Sequence, residues 1–112
     1  MVMAIKRVNS NLLPTFAMTF HNFEDNKELN FSGVETHDTN TWVPFQSSGK
    51  QIKIQIRDKS NNYAVMNEFY LWDENYKLQC SMQDGVKTIL TVTGSRDVGL
   101  NVSTSGVQAY LM

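Results

Sequence analysis

Apolar and polar residues alternate with a period of two along most of this chain. The clearest run is residues 51–57, where Ile52, Ile54 and Ile56 alternate with Lys53, Gln55 and Arg57. Successive side chains of a strand point to opposite faces, so the isoleucines form one apolar stripe and the polar residues another. On a helix Ile54 would lie nearly opposite Ile52 and Ile56, and no continuous apolar face would result. β-Branching favours the same reading, because such side chains pack well on a pleated surface. Phe16, Met18 and Phe20 alternate with Ala17, Thr19 and His21 in the same way. A turn-like Glu24-Asp25-Asn26-Lys27 follows, and Leu29 and Phe31 resume the alternation, so residues 15–34 are predicted to form a hairpin.

Further strands are predicted at residues 2–8, around Leu100 and Val102, and at Val107, Ala109 and Leu111. Tyr76, Leu78, Cys80 and Met82 mark another. Residues 63–72 mix helix-favouring Ala64, Met66 and Glu68 with the aromatic Phe69-Tyr70-Leu71-Trp72, which predicts a strand broken near Asn67. A three-residue loop, Gln83-Asp84-Gly85, would set Met82 opposite Val86 and Leu78 opposite Leu90, with Gly85 in the left-handed conformation. Alternation fails at residues 35–41, Glu-Thr-His-Asp-Thr-Asn-Thr, which predicts a solvated loop. Pro44 makes residues 42–45 an edge strand or an irregular crossover, because proline offers no backbone donor. Residues 94–99 are predicted to be a loop. About eight short strands separated by turn clusters, without room for long crossovers, define the expected class. It is all-β: a single-domain antiparallel β-sandwich over residues 1–112.

Composition narrows the function. Apolar residues make up 41% and charged residues 19%, as in a folded globular domain. A net charge of −1 lacks the basic footprint of a nucleic-acid binder. No apolar run approaches the roughly 18 residues of a transmembrane segment. The basic pair Lys6-Arg7 follows the first apolar residues, the reverse of a signal peptide, so the expected location is cytoplasmic, or outside after release by a non-classical route. Cys80 is the single cysteine, in phase with Leu78 and Met82, which predicts a small buried hydrophobe.

Catalytic chemistry finds little support. His21 and His37 are the two histidines, and no Gly-x-Ser-x-Gly elbow occurs. Glu35, His37 and Asp38 offer nitrogen and oxygen donors, too few by themselves for a tetrahedral metal site. Asp73-Glu74-Asn75 lacks the glycine and terminal glutamate of a calcium loop, and Ser48-Gly49-Lys50 lacks the upstream glycine of a P-loop. The expectation is a protein without enzymatic activity, metal or cofactor.

The aromatic residues are more informative. Tyr70 and Trp72 fall in the phase opposite Phe69 and Leu71, and Trp42 follows the polar run containing His37, Asp38 and Asn40. Flat apolar rings beside oriented polar groups suit a glycan or a lipid headgroup. These six residues, Trp42, Trp72, Tyr70, His37, Asp38 and Asn40, are the candidate ligand-binding set of a non-catalytic binding module. The alternative is a self-assembling structural subunit, because the apolar stretches 1–5 and 107–112 carry little to discourage pairing with a second copy. A homo-oligomer is therefore expected.

Phe20-His21-Asn22 leads into the hairpin, then come Trp42-Val43-Pro44, a glycine turn and the strand reached through Lys50. This order resembles that of aegerolysin-type β-sandwiches, which include lipid-binding proteins and components of insecticidal toxins. The resemblance covers about half of the chain and rests on spacing and residue type. It implies a sandwich fold and a membrane-active alternative function, and it assigns no functional residue.

Overall fold

The computed structural model describes residues 2–112; Met1, the first residue of the apolar N-terminal stretch, lies outside them. Ten strands follow one another: β1 (Met3–Asn11), β2 (Phe16–Asn22), β3 (Lys27–Ser32), β4 (Val34–Trp42), β5 (Ile52–Asp58), β6 (Ala64–Glu74), β7 (Lys77–Met82), β8 (Gly85–Thr91), β9 (Arg96–Ser103) and β10 (Gly106–Leu111). They form a six-stranded sheet, β3-β2-β5-β6-β7-β8, and a four-stranded sheet, β10-β9-β1-β4. The domain is thus the expected all-β sandwich, with ten strands in place of about eight.

The isoleucine strand lies at the heart of the six-stranded sheet. β5 pairs antiparallel with β2 and β6, setting Ile54 opposite Phe20 on one side and Phe69 on the other. All three are fully buried. The four-stranded sheet supplies Met3, Ile5, Val8, Val98, Leu100 and Val102 to the same core.

One pair departs from the antiparallel pattern: β1 runs parallel to β9. A parallel pair needs a long crossover, and here the six-stranded sheet and β4 together lie between the two strands. The polar run expected as a loop is strand β4, paired with β1 along its length. Its backbone bonds tie it to β1, while Thr36, Asp38, Asn40 and Trp42 alternate with the inward-phase Glu35, His37, Thr39 and Thr41. Polar side chains suffice because β4 is an edge strand, where only Thr41 of its inward residues becomes fully buried. The loop expected at residues 94–99 is likewise shorter, since β9 begins at Arg96.

The β7–β8 turn also differs from expectation. Met82 pairs with Gly85 and Ser81 with Val86, leaving a two-residue turn, Gln83-Asp84; a bulge beside Gln79 then restores Leu78 opposite Leu90. The apolar pair is therefore kept by a bulge rather than by a longer loop. Cys80 is fully buried, and burial pushes its thiol up to about 12.

The outer face of the four-stranded sheet is held by one tyrosine. Tyr110 pairs with Gly99 across β10 and β9, and a Cβ at Gly99 would overlap the tyrosine ring. The ring lies over the glycine and its hydroxyl accepts a hydrogen bond from Asn9 Nδ2 at 2.8 Å.

Candidate binding site

Both sheets bring Trp42 to one end of the sandwich, where the turns at residues 23–26, 43–51, 75–76 and 92–95 converge. The local construction starts from Asn22. It continues the apolar phase of Met18 and Phe20 and is fully buried, yet it is polar. Its Nδ2 donates to Thr41 Oγ1 at 2.7 Å and to the Trp42 carbonyl at 2.8 Å, and its Oδ1 accepts from the Glu24 N–H at 2.9 Å. Thr41 Oγ1 in turn donates to Asp25 Oδ2 at 2.7 Å, and Asp25 Oδ1 accepts from the Lys27 N–H at 3.0 Å. This chain of bonds pins β2 of one sheet to β4 of the other and fixes the β2–β3 turn beside Trp42. A buried asparagine with its bonds made rigidifies such a corner.

The other wall is set by proline. The Val43 N–H donates to the Met3 carbonyl at 2.9 Å, and the Pro44 carbonyl accepts from the Asp73 N–H at 2.7 Å. Phe45 then forms a parallel bridge with Asp73, and Gly49, at φ 72°, returns the chain toward β5. The result is an apolar slot of about 160 Å³ walled by Trp42, Val43, Pro44 and Phe45, with Glu24 and Asp25 at its rim. Trp42 is 38% exposed. The Glu24 carboxylate makes no hydrogen bond to the described protein, so its oxygens are open to a donor. Phe45 also borders a second hollow with Tyr76 and Asn75, so aromatic surface extends past the slot.

The six sequence-predicted residues do not gather in one place. Asp38, Asn40 and Trp42 share the outward phase of β4. Asp38 is paired with Arg7 at 2.7 Å, and that hydrogen bond and charge hold its carboxyl below the usual carboxylate value. The Asn40 carbonyl accepts from Lys27 Nζ at 3.3 Å. His37 points the other way and stacks on Phe31, with ring centroids 4.2 Å apart. Strand alternation thus separates Asp38 from Glu35 and His37. No group of three metal-ligating side chains forms among the described residues.

Trp72 is only 9% exposed, and its indole N–H donates to Glu74 Oε1 at 3.2 Å; its ring is packing surface and not a free platform. Tyr70 lies on the six-stranded sheet beside a shallow trough with Met66 and Glu68, remote in the sheet order from β4. Burial, then the Glu68 carboxylate, raises its phenol above the ordinary value. Of the predicted set, only Trp42 stands in the slot. Glu24, Asp25, Val43, Pro44 and Phe45 complete it. Asn22 was the legible signal for this corner: a polar residue in the core phase of an otherwise apolar strand.

The fold and the slot define an all-β sandwich with a small aromatic-walled recess at the convergence of its loops. Comparison with family models, curated proteins and solved structures finds no match to this chain.

Proposed function

We propose that this protein is a non-catalytic binding module that takes a single carbohydrate ring in the Trp42–Phe45 slot. The observation that carries this function is the slot itself: an exposed indole and a proline ring wall an apolar recess, and an unbonded carboxylate, Glu24, stands at its mouth. The apolar face of a sugar stacks on an aromatic wall, while its hydroxyls donate to a carboxylate. At about 160 Å³ the recess is smaller than the roughly 300–1,000 Å³ of common ligand pockets, which suits one terminal ring rather than a chain. Two carboxylates at the rim disfavour an anionic lipid headgroup by like-charge repulsion. A choline headgroup, whose quaternary ammonium is drawn to an indole face and to carboxylates, is the competing reading.

The two tryptophans make the test simple. A Trp72→Phe variant leaves Trp42 as the sole indole reporter, and Trp42→Phe leaves Trp72. A glycan array picks the candidate sugar, and fluorescence titration follows with phosphocholine vesicles as the competing probe. Binding should perturb the Trp72→Phe protein and leave Trp42→Phe silent, and Trp42→Ala should weaken affinity about tenfold or more. Binding to vesicles with no sugar response would favour the lipid headgroup. No response to either would remove the slot as a ligand site.

A further inference from the structure

We infer that the free edge of β10 is the docking surface for a second copy of this chain, joined antiparallel through the same strand. This is independent of the sugar slot, which lies on β4 at the opposite edge of the four-stranded sheet.

The sandwich has four edge strands, β3 and β8 in one sheet and β4 and β10 in the other. Edge strands expose unpaired backbone groups, and natural proteins guard them with charge, proline or bulges. β3 carries Lys27 and Glu28. β8 carries Lys87, ion-paired with Asp84 at 3.0 Å, and lies beside a bulge. β4 carries the inward-phase Glu35 together with Asp38. β10, reading Gly-Val-Gln-Ala-Tyr-Leu, has no charge, no proline and no bulge.

The ladder says which groups are free. The Met112 N–H donates to the Asp97 carbonyl at 2.9 Å, in register with the β10–β9 pairs. Hydrogen-bonded and non-bonded pairs alternate in an antiparallel ladder. Tyr110 with Gly99 and Gln108 with Asn101 are therefore the bonded pairs. The backbone groups of Val107, Ala109 and Leu111 point away from β9; Val107, Gln108, Ala109 and Tyr110 border an open cleft of about 430 Å³ whose far side is Ile89 of β8, a strand of the other sheet that approaches β10 there. Beside them Leu111 is 51% and Met112 53% exposed.

These features are self-complementary. A two-fold axis at Ala109 sets Val107 opposite Leu111 of the second copy and Gln108 opposite its Tyr110. It satisfies the outward N–H and C=O groups of all three residues, covers Leu111 and Met112, and makes one continuous eight-stranded sheet. A C2 contact uses the same patch twice, as this one would.

Light scattering after size exclusion, over a concentration series, tests the interface. The wild-type chain should run at twice 12.8 kDa. Ala109→Pro removes an N–H that β9 does not use, and Leu111→Lys places a charge on the exposed edge. Each should raise the dimer dissociation constant by about tenfold or more, with the β-sheet circular dichroism unchanged for Leu111→Lys. Val34→Lys, on the opposite edge, should leave the mass as it is. A wild-type chain that stays monomeric up to its solubility limit overturns the inference, as does a dimer that Leu111→Lys leaves intact or that Val34→Lys disrupts.

Discussion

Asn22 and Asp73 are two buried polar residues near the same end of the sandwich, and their bonding differs. Asn22 has its amide oxygen and nitrogen engaged. Asp73 does not: its Oδ1 accepts from the Tyr76 N–H at 3.1 Å, while its Oδ2 is buried without a hydrogen-bond partner among the described residues. Burial raises its carboxyl above the ordinary 3.8, against the lesser, lowering effect of the Tyr76 hydrogen bond. Between the unfolded and folded values the native state holds more protons than the unfolded chain. The contribution of Asp73 to stability is thus greatest below 3.8 and declines as pH rises through the folded value, opposite to the usual carboxylate. Asp73→Asn keeps the Oδ1 acceptor and removes the titration, at a pH-independent cost of about 1–3 kcal/mol for an unpaired amide donor. Denaturant melts of both proteins across this range should show the variant gaining on wild type as pH rises. Parallel curves would mean that Asp73 titrates at its unfolded value. Cys80 belongs at the same scale: a fully buried thiol pushed up to about 12 is packing, not a nucleophile.

At the scale of the element, β5 is the strand whose loss is felt on both sides. Ile54 sits between Phe20 of β2 and Phe69 of β6, so Ile54→Ala should cost about 2–5 kcal/mol in chemical denaturation. A loss below about 1 kcal/mol would mean that its surroundings collapse to fill the space. β9 is sensitive for a different reason. Gly99 has ordinary strand dihedrals, and glycine is needed there because Tyr110 occupies the space of a Cβ. Gly99→Ala should displace the ring from Asn9 and destabilise the protein by about 1–3 kcal/mol, an overpacking effect. A smaller loss in a Tyr110→Ala background would locate the effect in that contact. The strands that were legible in the sequence, β2, β5 and β7, each turn one apolar face to the core. β4 was illegible because an edge strand needs only backbone pairing and one buried threonine, so seven polar residues in a row satisfy it.

For the whole molecule, local alternation was enough to determine an all-β sandwich, a core built on Ile52, Ile54 and Ile56, and a buried Cys80. Each follows from a period of two, which is a property of neighbouring residues. The parallel pairing of β1 with β9 had no local trace, because it joins segments some ninety residues apart in register. Nor did the slot. Trp42 was a candidate by residue type, but Trp72 has the same chemistry and is buried, while Glu24 and Asp25 read as an ordinary turn. Only the closing of one sheet over the other, pinned at Asn22 and Thr41, brings that turn against Trp42, Pro44 and Phe45. Alternation reports which face of a strand is covered; which residues meet at the rim depends on strand order, and strand order is settled by contacts distant in the chain.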